Sequence, residues 1–296
     1  MHPRSSGSGR PFDRSSSQRS SRGDRSSSSS GGGGGESSGS ARPPLRPQVT
    51  TLWAYPSMHY DAFYDPQTGE LTRTKTPHRG AGFAMQGDKA YVGATPSWVI
   101  WNLLVRYTKP GDTVLDPMCG SGTTIDVCND LSRTAIAFDL NPRREEIKPN
   151  DARKLPLKDR SVDFAFIDPP YSTHVDYSDN PKCIGKLDAA GEDNGEAYYT
   201  AMQKVILELA RVLKPGGHLG LYVSDSWRRT QRAKRDVFMP IGFHLFAIMS
   251  DVLSPVDIIA VQRLNQKLDQ GNHRKAAEEQ NFFLRGFNYL FVMKKD

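Results

Sequence analysis

The chain has 296 residues, 37% of them hydrophobic, and carries 39 basic against 33 acidic side chains for a net charge of +6. This length suits one large domain or two small ones. Its three cysteines show no paired spacing, which argues against a disulfide scaffold and a zinc site, and no apolar run approaches the roughly 20 residues that a membrane helix needs.

Residues 1–48 are predicted to form a disordered arm rich in Arg, Ser and Gly. Serine occupies 16 of the first 40 positions, residues 31–35 are all glycine, and eight arginines oppose three acids in this segment. Such a composition cannot bury enough apolar surface to offset its ordering entropy. Two interpretations of the arm stay open, loose phosphate contacts with nucleic acid or a solubilising tail without a partner.

Residues 49–94 are rich in aromatic residues and glycine without a clear period. We interpret them as an irregular lead-in segment that packs on the following domain or covers its site. A single catalytic domain is predicted over residues 95–296. It opens with a helix, for which Thr95 can serve as the cap and Pro96 as part of the first turn, because apolar residues then recur at helical spacing.

Strands and helices alternate after this helix. Strands are predicted at 113–116, 134–140, 162–168, 218–225, 256–263 and 288–295, and helices at 122–131, 196–213 and near 238–250. This alternation predicts an α/β fold with a doubly wound, mostly parallel sheet. The last two strands have no long helix between them, so they are predicted to pair as a C-terminal antiparallel hairpin.

The stretch VLDPMCGSGTT, residues 114–124, places a strand, an acid, a glycine-rich turn and a helix in immediate succession. Gly120 and Gly122 permit positive φ angles and close backbone approach to a ligand, and the helix N-terminus attracts a carboxylate. The turn is not a P-loop, because no lysine follows the glycines, and Ile125 replaces the third glycine of the dinucleotide fingerprint. A pyrophosphate ligand is therefore disfavoured.

Acidic residues also follow the next two predicted strand ends. Asp139 can hold ribose hydroxyls, Asn141 stands two residues further on, and Asp151 can contact a purine. Together with the glycine-rich turn, these residues fit a nucleoside with an amino-acid tail, which is the shape of S-adenosyl-L-methionine.

The stretch DFAFIDPPY, residues 163–171, ends an apolar strand on Asp168 and continues with two prolines. Proline lacks a backbone N–H and fixes φ, and it also restricts the preceding residue, so this turn is predicted to be stiff with outward-pointing carbonyls. The carboxyl end of a strand is where open α/β sheets place their ligands.

DPPY at 168–171 together with DPMCGSGTT at 116–124 resembles the amino-group DNA methyltransferases, the adenine-N6 and cytosine-N4 enzymes. The resemblance covers residues 95–295 and implies a Rossmann-like, S-adenosyl-L-methionine-dependent methyltransferase fold. The catalytic residues that it implies are Asp168, Pro169, Pro170 and Tyr171. The expected cofactor residues are Thr95, Pro96, Asp116, Pro117, Met118, Cys119, Gly120, Gly122, Thr123, Asp139, Leu140, Asn141, Asp151 and Asp168.

The chemistry of an exocyclic amine agrees with this resemblance. The lone pair of such an amine is delocalised into the base, so Asp168 and the carbonyl of Pro169 are expected to accept its N–H bonds and to stabilise the developing positive charge. Tyr171 offers a flat face for a base that has left the helix. No covalent intermediate is needed, so Cys119 is interpreted as a small packing residue.

The expected target is adenine N6 or cytosine N4 in DNA, with adenine favoured by the Asp at the first position of DPPY. Two alternatives stay open. The first is a methyltransferase of a base amino group, such as guanine N2, in ribosomal or transfer RNA, and the second is a non-catalytic nucleic-acid-binding protein on the same fold. We expect a cytoplasmic protein, associated with the nucleoid when bound to DNA, without a metal; the sequence does not predict its oligomeric state.

Candidate contacts with nucleic acid lie in segments that follow strand ends. SWRRTQRAKRD, residues 226–236, is interpreted as a phosphate-contacting loop or as the solvated start of a polar helix. Residues 172–196 follow DPPY and could fold over the base. The predicted contact residues are His174, Tyr177, Arg228, Arg229, Arg232, Lys234 and Arg235, with Arg274, Lys275 and Arg285 as further candidates.

Overall fold

The structure is a computed structural model that describes residues 47–56, 62–64, 71–73, 86–88, 91, 93–190, 193–230, 235–264, 272–279 and 281–296. The predicted arm lies outside these residues apart from residues 47 and 48, and it stays a prediction. In the part of the chain that the structure describes, no helix is long and apolar enough to cross a membrane.

Twelve strands and five α-helices make up the described fold. The strands are β1 (Leu52–Pro56), β2 (Ala62–Tyr64), β3 (Leu71–Arg73), β4 (Thr113–Asp116), β5 (Thr134–Asp139), β6 (Lys148–Pro149), β7 (Val162–Ile167), β8 (Leu213–Val223), β9 (Ser226–Thr230), β10 (Arg235–Met239), β11 (Ser254–Leu264) and β12 (Phe287–Lys294). The helices are α1 (Ser97–Tyr107), α2 (Thr123–Asp130), α3 (Glu196–Val212), α4 (Ile241–Ser250) and α5 (Asn272–Glu279).

Eight of these strands form one sheet in the order β1-β11-β12-β8-β7-β4-β5-β6. All neighbours in this sheet are parallel except β12, which runs antiparallel to both β8 and β11. The predicted doubly wound, mostly parallel sheet and the C-terminal antiparallel hairpin are therefore confirmed. Because β12 is reversed, its amino end lies at the same edge of the sheet as the carboxyl ends of β7 and β8.

Helices cover both faces of the sheet, which explains why its central strands are apolar throughout. Phe164 and Phe166 of β7 pack with buried residues of α1 and α2. Ala165 and Ile167, which alternate with them, pack on the other face with α3 and α4. Since β7 is buried on both faces, the position of its carboxyl end, where the DPPY turn begins, is fixed by packing.

Two local predictions were wrong. Helix α1 begins at Ser97, with Pro96 at the N-cap and no capping side chain, because the hydroxyl of Thr95 donates to Asp168 instead. Residues 226–230 and 235–239, predicted to begin a loop or a polar helix, form the antiparallel pair β9–β10, while residues 231–234 lie outside the described residues. The cross-strand pair of Trp227 and Phe238, with ring centroids 5.6 Å apart, stabilises this hairpin.

The segment after the DPPY turn depends on one close backbone contact at the start of α3, which two matched glycine substitutions can test. Gly195 has a φ of 83°, and a Cβ added there would lie 2.3 Å from the carbonyl oxygen of Ala189. Gly216 has a φ of 78°, but an added Cβ would meet no described atom within 4 Å.

We expect Gly216→Ala to lower the free energy of unfolding by about 1–2 kcal/mol, the cost of the left-handed backbone alone. Gly195→Ala should lower it by at least about 3 kcal/mol, because a steric clash with rigid backbone is added. Urea unfolding of the two variants measures the difference, and equal losses would show that the Gly195–Ala189 contact does not constrain the fold.

Candidate active site

Three carboxylates lie at the carboxyl edge of the central strands. Asp116 is the last residue of β4, Asp139 is the last residue of β5, and Asp168 directly follows β7. Because the three strands are parallel neighbours, the edge that the sequence predicts to carry the site is the edge where the structure places these acids.

Two adjoining cavities open between these acids. The larger has a volume of about 670 Å³ and the smaller of about 370 Å³, and Tyr91, Met118, Asp168 and Tyr177 line both. Of the expected cofactor residues, the larger cavity is lined by Pro117, Met118, Asp139, Leu140, Asn141, Asp151 and Asp168, and the smaller by Thr95, Asp116, Met118, Cys119, Gly120, Thr123 and Asp168. Pro96 and Gly122 line neither cavity.

The glycine-rich turn is tied to the neighbouring strand end through Asp139. Gly120 has a φ of 46°, and its N–H donates to Asp139 Oδ2 at 3.0 Å. The backbone N–H of Asn141 donates to the other oxygen, Oδ1, at 2.8 Å. A carboxylate has about four acceptor positions, so two remain for hydroxyls of a ligand in the larger cavity.

Asp116 is the most deeply buried of the three acids. Its carboxylate accepts hydrogen bonds from Thr124 Oγ1 at 2.5 Å and from the backbone N–H of Met118 at 3.1 Å. Burial raises the pKa of Asp116 to about 7 despite these two hydrogen bonds, and the charges of Asp139 and Asp168 also act to raise it. The site therefore disfavours negative charge at the end of β4.

Asp168 is held by two hydroxyl groups from distant parts of the chain. Thr95 Oγ1 donates to its Oδ2 at 2.5 Å, and Tyr171 donates its phenolic hydrogen to Oδ1 at 2.6 Å. Burial, and then the charge of Asp168, hold the pKa of Tyr171 well above its ordinary value, so its hydroxyl remains a donor. Asn288 of β12 donates in turn to the Tyr171 hydroxyl at 3.4 Å. The carboxylate is thus fixed in orientation by α1, the DPPY turn and β12.

The two prolines of DPPY differ in how their carbonyls are used. The carbonyl of Pro170 accepts hydrogen bonds from Tyr198 at 2.8 Å and from the backbone N–H of Ser172 at 3.2 Å. No N–H or O–H group of the described residues donates to the carbonyl of Pro169. The prediction that the carbonyls of this turn are unused is therefore wrong for Pro170, while Pro169 retains a free acceptor next to Asp168.

An aromatic pair, of which the sequence predicted only Tyr177 as a site residue, lies across both cavities. The rings of Tyr91 and Tyr177 stack with centroids 6.4 Å apart, and the guanidinium of Arg143 lies 5.1 Å from the centre of the Tyr91 ring. Burial raises the pKa of Tyr177 to about 12, with a contribution from Asp168. Tyr171, predicted to offer the flat face, lines neither cavity. The aromatic richness of residues 49–94 was the only signal for Tyr91.

The larger cavity is also lined by polar and apolar residues from the segment after β6 and from residue 184. Asp151 forms an ion pair with Arg153 at 2.8 Å, and Ala152 and Ile184 supply apolar surface. Burial acts to raise the pKa of Asp151, but the hydrogen bonds and charge of Arg153 outweigh burial and hold it below its ordinary value. Asn150, which the sequence did not single out, also lines this cavity.

The lead-in segment reaches the glycine-rich turn. The N–H of Gly87 donates to Asp126 Oδ2 of α2 at 2.7 Å, and the N–H of Asp88 donates to the carbonyl of Ser121 at 3.1 Å. Tyr91 follows directly, and a Cβ added at Gly120 would lie 2.8 Å from its ring. The lead-in therefore supplies part of the wall over the glycine-rich turn.

The three cysteines are buried and are not placed as reactive thiols. Cys119, Cys128 and Cys183 are free and buried. Burial holds the pKa of Cys119 well above its ordinary value, so its thiol stays protonated, and its side chain packs with Ile125, Ala137 and Ile147. Within the described ranges, no group of three or more His, Cys, Asp or Glu side chains could hold a metal ion.

The structure brings only some of the residues predicted to contact nucleic acid close to the cavities. Tyr177 lines the cavities, whereas the exposed His174 lies within hydrogen-bond distance of Ser226 Oγ. Arg274 and Lys275 form ion pairs with Glu278 and Glu279 along α5. Arg228 and Arg229 lie in β9 and Arg235 begins β10, while Arg232 and Lys234 lie outside the described residues.

Comparison with known proteins identifies a family whose model matches this chain. A model of the N6/N4 methylase family, described as DNA methylase, matches residues 13–148 and 162–295, which is more than half of the chain. Both the glycine-rich motif and the DPPY motif lie inside the matched regions.

Individual relatives match over shorter stretches. The type II methyltransferase M.HinfI of Haemophilus influenzae is 30% identical over 131 residues, 38% of this chain and 36% of that protein. The type II methyltransferase M.Cfr9I of Citrobacter freundii is 39% identical over 61 residues, 21% of this chain and 20% of that protein. The chain thus covers well under two thirds of the length of either relative. Among solved structures, TrmN from Thermus thermophilus has a TM-score of 0.43 at 19% identity, over 69% of this chain and 50% of that one.

The raised pKa of Asp116 predicts a distinct pH dependence of stability. Its pKa lies at about 7 in the folded chain, against an ordinary value of 3.8. Between these values the folded chain holds more protons than the unfolded chain, so the stability falls as the pH rises. Relative to Asp116→Asn, the wild-type free energy of unfolding should fall by roughly 2–3 kcal/mol between pH 5 and pH 8.

Urea unfolding at the two pH values measures this difference. Asp179→Asn, which changes an exposed carboxylate near the site, is the control and should keep the wild-type pH dependence. A wild-type pH dependence in Asp116→Asn would contradict the assignment of a raised pKa to this group.

Proposed function

This chain belongs to the N6/N4 family of DNA methylases, and from that membership we propose that it transfers a methyl group from S-adenosyl-L-methionine to the exocyclic amino group of a base in DNA. The family match confirms the resemblance inferred from the two motifs, and S-adenosyl-L-methionine is the methyl donor of that family. Adenine N6 is the favoured target and cytosine N4 is the other.

The observation that supports this proposal is the arrangement of acceptors at the DPPY turn. Asp168 is oriented by Thr95 and Tyr171, and the free carbonyl of Pro169 lies one residue further along a turn stiffened by two prolines. Each carboxylate oxygen accepts from one of these hydroxyls, and a carboxylate offers about four acceptor positions in all. Asp168 and Pro169 can therefore each accept one N–H of an amino group.

These acceptors compensate for the weak nucleophilicity of an exocyclic amine. Its lone pair is conjugated with the base and is a weak nucleophile. Two acceptors that hold both N–H bonds orient the lone pair away from the turn, and they stabilise the positive charge that develops on nitrogen. Because proline fixes the backbone and the hydroxyls fix the carboxylate, this arrangement is preorganised and needs no rearrangement during the reaction.

The residues around the two cavities fit the methyl donor. Asp139 and Asn141 would hold its ribose, Asp151 and Asn150 its purine, and the glycine-rich turn with the N-terminus of α2 its carboxylate. When bound, S-adenosyl-L-methionine supplies an electrophilic methyl group on a sulfonium. Asp168 lines both cavities and would therefore adjoin the donor, and because its carboxylate would accept one N–H of the amine it could also receive the proton that the methylated amine releases.

Substitutions at Asp168 test this mechanism. We expect Asp168→Ala to lower the rate of methyl transfer to DNA by about 10²–10³-fold, as for other groups that stabilise developing charge. Tyr171→Phe and Thr95→Val each remove one hydrogen bond to the carboxylate and should lower the rate by about fivefold. Single-turnover transfer from labelled S-adenosyl-L-methionine measures the rates, and calorimetry checks that each variant still binds the cofactor.

An undiminished rate in Asp168→Ala would overturn the mechanism. The base is identified by digesting the methylated DNA to nucleosides, in which N6-methyladenine or N4-methylcytosine is expected. Label found in RNA but not in duplex DNA would instead support the RNA alternative, and label in neither, with the cofactor bound, would support a non-catalytic binding protein.

A further inference from the structure

An exposed surface of aromatic side chains lies beside the candidate active site. We name it the aromatic–arginine surface and define it by Trp227, Phe238, Phe282, Phe283, Arg285 and Phe287. Trp227 is 36% exposed, Phe238 42%, Phe287 41% and Phe283 87%. Large aromatic residues exposed together are unusual on a soluble protein and mark an interaction site.

Contacts connect all members of this surface except Phe287, whose ring packs against that of Tyr289 with centroids 5.0 Å apart. The Trp227 ring lies 5.6 Å from that of Phe238 and 6.1 Å from that of Phe282, measured between centroids. The guanidinium of Arg285 lies 5.2 Å from the centre of the Phe238 ring, and its Nη2 donates to the carbonyl of Phe283 at 2.6 Å. These contacts join the hairpin β9–β10 to the segment before β12, and the guanidinium of Arg285 is part of the joined surface.

Two hydrogen bonds connect this surface to the DPPY turn. Ser226, which precedes Trp227, lies with its Oγ 2.8 Å from a ring nitrogen of His174, three residues beyond Tyr171. Asn288, which follows Phe287, donates to the hydroxyl of Tyr171 itself. The strands that carry Trp227 and Phe287 are therefore anchored to the DPPY turn and the residues just after it, although side chains next to each other in a strand point to opposite faces.

The composition of the surface favours a nucleic-acid partner over a protein partner. Aromatic rings stack on bases of any sequence, and guanidinium groups bind phosphates and stack on rings. Arg285 places a guanidinium against the Phe238 ring, and the hairpin β9–β10 carries Arg228, Arg229 and Arg235 in its sequence. A nucleic acid with unstacked bases matches this surface, because it offers flat base faces to the rings and negatively charged phosphates to the arginine.

We propose that the aromatic–arginine surface binds the DNA strand next to the extruded nucleotide, with Trp227 stacking on a base that has lost its stacking neighbour. This inference rests on the proposed function, because only extrusion of the target base leaves such an exposed base face beside the active site. Arg285 contacts an adjoining phosphate.

Binding of a fluorescein-labelled random-sequence DNA duplex to the full chain, in the presence of S-adenosylhomocysteine, tests the proposal. Trp227→Ala should weaken the affinity by about 5- to 150-fold, the value of one stacking contact. Trp227→Phe keeps an aromatic face and should restore most of the affinity. Leu207→Ala, which truncates an exposed apolar side chain on α3, is the matched control and should bind as the wild type does.

The salt dependence separates stacking from charge. Trp227→Ala should leave the slope of log affinity against log salt unchanged, because it removes no phosphate contact, whereas Arg285→Ala should reduce that slope by about 1. A reduced slope in Trp227→Ala, or an affinity equal to that of the wild type, would overturn the proposal.

Methyl transfer by the same proteins keeps this proposal distinct from the proposed function. A wild type that methylates DNA, with Trp227→Ala losing DNA affinity but retaining cofactor affinity, supports both. A wild type that methylates DNA while Trp227→Ala binds and methylates normally overturns the surface alone. Loss of RNA binding without loss of DNA binding, or loss of self-association measured by sedimentation, would also overturn it and assign the surface to RNA or to a second copy of the chain.

Discussion

The hydrogen bonds that hold Asp168 are the interaction on which the site depends. One oxygen of this carboxylate is bound by a residue just before α1, the other by the last residue of DPPY, and the latter is bound in turn by β12. Three segments far apart in the chain therefore converge on one side chain. Because β7 is buried on both faces, the carboxylate cannot shift without disturbing the core.

Three carboxylates concentrate negative charge at the carboxyl edge of the sheet. Three carboxylates lie close enough that Asp139 and Asp168 act to raise the pKa of Asp116. A cationic ligand between them relieves this repulsion, whereas an anionic ligand adds to it. The electrostatics of the edge and the absence of a P-loop lysine in the sequence thus favour the same class of ligand, one that carries positive charge.

The sheet and its three acids could be predicted from sequence because both depend on local pattern. Short apolar strands ending in Asp116, Asp139 and Asp168 repeat along the chain, and parallel strands bring such ends to one edge. The partners of these acids could not be predicted in this way. Thr95 was expected to cap a helix, but a contact 73 residues away competes for its hydroxyl. Tyr91, and the pairing of Trp227 with Phe238, likewise depend on tertiary contacts that leave no periodic signal.

The reversed strand β12 has a consequence for the structure of the chain during its synthesis. It lies between β8 and β11, and β11 pairs on its other side with β1, so within the described sheet β12 connects β1 and β11 to β8 and the strands beyond it. On the ribosome, β12 is synthesised after β4, β5 and β7, so Tyr171 lacks Asn288 until the end of synthesis. A chain that stops before β12 would thus lack the hydrogen bond that Asn288 donates to Tyr171, and the carboxylate of Asp168 would lose this indirect support.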